Sequence, residues 1–140
     1  MTRAGILCAI VAAMHWHVPA DGLLAVYQIE NGQTDQWVRD SNGTYDIGPM
    51  QFNTAYLATL RKWGIQPVDV ERGCYPFYLA AWRIHRQIKT DSGSLWTRIA
   101  YYHSTTPKQV EWYRAKLIRY AKRWRAWLEQ NFKTIAIKGR

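Results

Sequence analysis

Ten carboxylates are the whole supply of acidic side chains from which proton-transfer chemistry could be built in this 140-residue chain. Eight have ordinary uses. Asp21 stands at a helix start, Asp35 and Asp40 solvate a polar loop, and Asp69 and Glu71 precede a helix opening at Pro76. Asp91, Glu111 and Glu129 fall at helix ends or on exposed faces. Glu30 and Asp46 remain. Glu30 shares a helical stripe with Leu23, Val26 and Tyr27 and closes that helix at its C-terminal end. Lost hydration and the negative end of the helix dipole both favour the protonated acid there, which carries a glutamic acid toward about 6–7, the range a proton donor to a leaving oxygen needs at neutral pH. An ion pair with one of the many Arg or Lys residues is the plain alternative. Asp46 could act as nucleophile or activate water beside Glu30, or could accept backbone N–H bonds and fix the turn that follows it.

The elements that must position these groups read as helices. Residues 4–14 are apolar after Arg3, and ValProAla at 18–20 gives them the look of a short export signal. Cleavage there would remove Cys8 and the lead into Glu30, so a buried first helix is expected instead. They are too short to span a membrane, which takes about 20 apolar residues. Pro19 and Asp21 suit the first turn of a second helix over about 19–31. The stretch 31–45, with AsnGly twice and Trp37 within it, predicts a polar loop or short hairpin. Tyr56, Leu57, Leu60 and Trp63 predict a third helix ending at Gly64, and Leu79, Trp82, Ile84 and Ile88 continue a helix from Pro76. A segment from Leu95 to Tyr102 follows. Thr106, Pro107 and Gln109 suggest a capping box that opens a helix with Val110, Tyr113, Leu117, Ala121, Trp124 and Leu128 on one face. No alternating run argues for a sheet of any size.

Nineteen Lys and Arg against ten Asp and Glu give a net charge of +9, which draws the chain to polyanions: nucleic acid, anionic lipid or cell wall. Eight Trp and nine Tyr add flat faces suited to sugars or nucleobases, although most Trp in a small helical protein fill the core; Trp37, Tyr45 and Tyr101 are candidate sugar platforms. Basic residues interleaved with Trp112, Trp124 and Trp127 on the last helix offer a rival nucleic-acid surface. His15, His17, His85 and His103 show no metal-ligand spacing, nor do Cys8 and Cys74, so no metal is expected. The two cysteines are either small buried apolar residues or one bridge.

GlnIleGluAsnGly at 28–32, GlyThrTyrAspIleGlyProMetGlnPheAsn at 43–53 and TyrTyrHisSerThrThrPro at 101–107 resemble, in order, the soluble lytic transglycosylase domain over about residues 8–124. The likeness is to the short single-domain members that open peptidoglycan for conjugation, type IV secretion, type III secretion and type IV pilus machines. It implies one mainly α, goose-type lysozyme-like domain over 1–140, with at most a small hairpin in the 31–46 region and a basic C-terminal helix and tail over 107–140. By the resemblance Glu30 is the catalytic acid and base, with Asn31 where Ser is usual. Gly48, Met50 and Gln51 line the sugar cleft, Pro49 standing where Leu is usual, and Tyr102 supports Glu30. His103 lies where the family carries Asn, and Asp46 completes the surroundings. Cys8 and Cys74 fall where related members carry a linking pair, which favours the bridge. The implied activity is non-hydrolytic cleavage of the bond from N-acetylmuramic acid to N-acetylglucosamine, in the periplasm or cell envelope, without a cofactor. Lysozyme-type hydrolysis and a catalytically weak assembly protein are the alternatives. Expected partners are glycan strands and components of an envelope-spanning machine, with no nucleic acid, no membrane span and a monomeric chain.

Overall fold

The computed structural model describes residues 1–132, so the tail end of the expected basic segment lies outside the described residues. Helix α1 (Arg3–Trp16) starts at Thr2, whose hydroxyl accepts from the Gly5 amide, and stops at His17 in the left-handed region. It is not buried all round. Ala9, Ala12 and Ala13 are fully enclosed, whereas Leu7, Val11 and Met14 face outward. Small residues on the inner face let α1 pack closely against two partners, α2 (Ala20–Glu30) and α4 (Tyr75–Thr90). The bridge between Cys8 and Cys74 ties α1 to the start of α4, with Cα atoms 5.1 Å apart.

The sheet is larger than the single hairpin expected over 31–46. Strands β1 (Trp37–Arg39), β2 (Tyr45–Ile47) and β3 (Phe52–Asn53) form an antiparallel sheet in that order, with Val38 opposite Asp46 and Asp46 opposite Asn53. Trp37 therefore lies on a strand rather than in a free loop, and its indole N–H donates to Glu71 at 2.8 Å. The expected third helix is broken. Helix α3 (Thr54–Thr59) is capped by Asn53, and a separate 3-10 turn (Arg61–Trp63) carries the chain to Gly64, which is left-handed.

A second 3-10 turn (Pro67–Val70) leads to α4, which opens one residue before Pro76. Helix α5 (Leu95–Ala100) is capped by the Ser94 hydroxyl. Helix α6 (Pro107–Asn131) is the longest and packs on α2 and α5. Its inner face holds Val110, Tyr113, Leu117 and Ala121, all buried, with Trp124 and Leu128 partly so, as the period of 3.6 predicts. The capping box does not form. The Thr106 side chain makes no cap bond, and Gln109 instead approaches His103, with Oε1 to Nε2 at 3.3 Å.

Gly48 is indispensable to the turn between β2 and β3. Its φ is +71°, and an added Cβ would lie 2.1 Å from the Val70 carbonyl oxygen. Gly48→Ala should therefore cost at least about 2 kcal/mol, because a left-handed alanine and a backbone collision act together. Urea unfolding measures it, and wild-type stability in that variant contradicts the packing described.

Candidate active site

Glu30 is the last residue of α2, and Asn31 after it turns left-handed at φ 52° with its amide on the Tyr27 carbonyl. Gly32 is buried against the 48–51 turn: a Cβ there would meet the Gly48 carbonyl at 2.1 Å and the Pro49 carbonyl at 2.9 Å. The helix end and the turn are thus pressed together by a residue without a side chain. Gln51, left-handed at φ 53°, donates from Nε2 to the Gly48 carbonyl at 3.0 Å and so closes the turn on itself. Met50 does not line a cleft with its side chain, which is completely enclosed; its backbone carbonyl accepts from the Tyr102 hydroxyl at 2.8 Å.

The tyrosine that touches Glu30 is Tyr113 on α6, not Tyr102. Its hydroxyl donates to Glu30 Oε2 at 2.8 Å. Tyr102 instead pins the turn, with its ring edge-on to Phe52 and under the Arg83 guanidinium, 4.5 Å from the ring centre. Arg83 also lies 3.9 Å over the Tyr56 ring. His103 stacks flat on Tyr113, centroids 5.0 Å apart at 8°, and Trp112 stands beside both rings.

Burial pushes the Glu30 carboxyl up to about 7. The Tyr113 hydrogen bond, which favours the ionised form, opposes that rise; the negative Asp46 adds to it and Arg83 subtracts. Glu30 is only partly enclosed, so its proton remains within reach of a ligand. Asp46 is also raised, first by desolvation, then through Asp40, while Asn53 and the His103 charge pull it down. It accepts from Asn53 Nδ2 at 3.0 Å rather than from backbone amides of the following turn, so it is a strand residue held across the sheet. Both tyrosine hydroxyls are pushed well above their usual range by burial, which keeps them neutral donors.

Several of the remaining carboxylates are committed to structural contacts. Asp35 pairs with Arg72 on the surface, Asp69 accepts from the Gln66 amide, and Asp21 lies 3.5 Å from Arg125. Trp37 is exposed and stands edge-on to Tyr45, a side-by-side aromatic pair on the sheet. A cavity of about 360 Å³ lined by Trp16, Trp63, Tyr75, Tyr78 and Trp82 does not include Glu30, so concavity alone points away from the perturbed acid. Among the described residues no group of His, Cys, Asp and Glu could hold a metal ion, and no helix is long and apolar enough to cross a membrane.

Two site residues escaped the sequence. Tyr113 sat on the apolar stripe of α6 and read as core, although a buried phenol needs a partner for its hydroxyl, and that was the available signal. Arg83 carried no signal in its spacing. Tyr113→Phe should raise the Glu30 pKa above about 7, because the hydrogen bond it removes favours the carboxylate. The alkaline limb of any Glu30-dependent activity then moves to higher pH; a limb that stays put or moves down contradicts the contact. No protein-family model matches the sequence and no curated protein matches it.

Proposed function

We propose that this chain cleaves peptidoglycan glycan strands as a lytic transglycosylase with a lysozyme-like organisation, Glu30 serving as both acid and base. The observation that carries this is a single partly exposed glutamic acid, raised to about 7 and oriented by a neutral tyrosine, where a helix end, a tight turn and a third element converge. The motif resemblance over 28–32, 43–53 and 101–107 supplies the substrate class.

In the proposed reaction the Glu30 proton passes to the oxygen joining N-acetylmuramic acid to N-acetylglucosamine, and the bond from that oxygen to the muramyl anomeric carbon breaks. Oxocarbenium character develops on the muramyl ring. The Glu30 carboxylate then takes the proton of the muramyl 6-hydroxyl as its oxygen bonds to the anomeric carbon. A 1,6-anhydro ring results, and Glu30 ends protonated as it began. Tyr113 orients the carboxyl and steadies its ionised form through the middle of the cycle, while Arg83 offers positive charge nearby.

A second reading, hydrolysis of the same bond, is favoured by Asp46, whose charge is felt at Glu30. Digestion of purified peptidoglycan and mass spectrometry of the released muropeptides separates the two. Anhydro ends that vanish in Glu30→Gln support transglycosylation. Reducing ends that depend on Asp46 support hydrolysis, and no release overturns both. The bridge between Cys8 and Cys74 suits an oxidising compartment, which supports a place in the periplasm or envelope; service to a secretion, conjugation or pilus machine rests on the motif resemblance alone.

A further inference from the structure

The flank of α6 that faces away from α5 carries more positive charge than the fold uses. At 100° per residue, the buried face of α6 is set by Val110, Tyr113, Leu117 and Ala121. One edge of that face turns to α5, where Arg114 donates to the Thr97 hydroxyl at 2.9 Å. The opposite edge bears Trp112, Lys116, Arg119, Tyr120 and Arg123 within one arc. Three cations gather round a single ring: Lys116, Arg119 and Arg123 lie 5.7, 5.6 and 5.9 Å from the Tyr120 centroid. Among the described residues none of the three forms a salt bridge with a carboxylate. Like charges three and four residues apart repel along a helix, and among the described residues the stripe offsets this with ring contacts at Trp112 and Tyr120 but with no ion pair to a carboxylate.

The stripe also starts beside Glu30. Trp112, 54% exposed, lies 5.9 Å from the His103 ring and 6.2 Å from the Tyr113 ring, and the Tyr113 hydroxyl holds Glu30. Lys116 sits 5.3 Å from the centre of the Trp112 ring, so the row runs from Trp112, next in sequence to Tyr113, along the helix. From Lys116 to Arg123 it extends about 10 Å.

We propose that this flank binds the peptide stems of the strand being cut, taking their carboxylates on Lys116, Arg119 and Arg123 and leaving Trp112 to pack against the stem nearest the sugar. This rests on the Glu30 reading and names its substrate more narrowly: peptide-bearing glycan rather than bare glycan. The amino sugars of a glycan strand are N-acetylated and neutral, so its charge resides in the stems. A muramyl residue seated at Glu30 must carry its stem outward, and the unpaired cations lie along an exit beside the site.

The test separates binding from cleavage. The full chain carrying Glu30→Gln is sedimented with intact sacculi and with chitin, an insoluble N-acetylated glycan that is neutral and carries no stems. It is compared with the same chain carrying also Lys116→Gln, Arg119→Gln and Arg123→Gln, whose thermal unfolding is checked first; Lys116→Glu with Arg123→Glu is the second variant. Loss of three exposed charge contacts should weaken binding to intact sacculi about tenfold, leave binding to chitin unchanged, and remove most of the salt dependence. Equal binding of the parent to sacculi and to chitin overturns the proposal. So does a flank variant that keeps its hold on intact sacculi, or one that loses only affinity for duplex DNA, which would make the stripe a nucleic-acid surface. A chain that prefers stem-bearing sacculi through this flank yet, with Glu30 restored, releases no muropeptides sinks the catalytic reading and sustains the docking.

Discussion

Glu30→Gln is expected to lower peptidoglycan cleavage by roughly 10²–10⁴-fold, the share that a positioned general acid and base contributes. Gln keeps the shape and still accepts from Tyr113, so binding should survive while turnover is lost. The same substitution should make the protein more stable at neutral and alkaline pH. In the folded chain Glu30 titrates near about 7, against an ordinary value of 4.5, so the folded state holds this proton more tightly than the unfolded one. Its contribution is fully present below about 4.5, declines as pH rises through 7, and leaves the ionised form costing about 3 kcal/mol at most, less whatever its partial exposure relieves. Unfolding midpoints at pH 5 and pH 8 read this directly. In Glu30→Gln the difference between them shrinks, and the variant exceeds wild type at pH 8. A variant less stable than wild type at pH 8 would show Glu30 to be a paired structural charge.

The second large effect concerns the bridge between α1 and the start of α4. Cys8 and Cys74 are 66 residues apart. Closing a loop of that length removes unfolded-chain entropy amounting to about 4 kcal/mol in the chain-entropy model. For a small domain this is a large part of all the stability available, roughly 5–15 kcal/mol. Replacing both cysteines with alanine should therefore lower the denaturation midpoint by many degrees, with α1 loosening first, because its outer face has no other cover than solvent at Leu7, Val11 and Met14. Hydrogen exchange on α1 amides and thermal unfolding measure the two parts. A double-alanine protein within 1 kcal/mol of wild type, by the same unfolding measurement, would mean that α1 is held by packing alone.

Helices with an apolar stripe were legible from spacing. The inner face of α6 follows the period of 3.6 residue by residue, whereas α2 is buried on every side from Gly22 to Tyr27 rather than along one stripe; the C-terminal placement of Glu30 among apolar residues already argued for a raised acid. Three features were not legible, each for a physical reason. Strand β3 is two residues long and has no period to detect. The box expected at the start of α6 competes with a tertiary contact: Gln109 reaches His103 and not the helix start. The motif resemblance puts Met50 in the cleft lining, yet its side chain is enclosed and what it offers the site is a carbonyl for Tyr102. Tyr113 shows the general difficulty. A tyrosine on an inner face is counted as core, and only the fold reveals that its hydroxyl ends on the one carboxyl group that matters.

The proton on Glu30 can be observed without substrate. With glutamate side-chain carboxyl carbons labelled and Glu30→Gln used to assign the resonance, titration by NMR should place its midpoint near 7. A Glu30 that titrates in the ordinary carboxylate range, near its usual value of 4.5, would contradict its role as the acid.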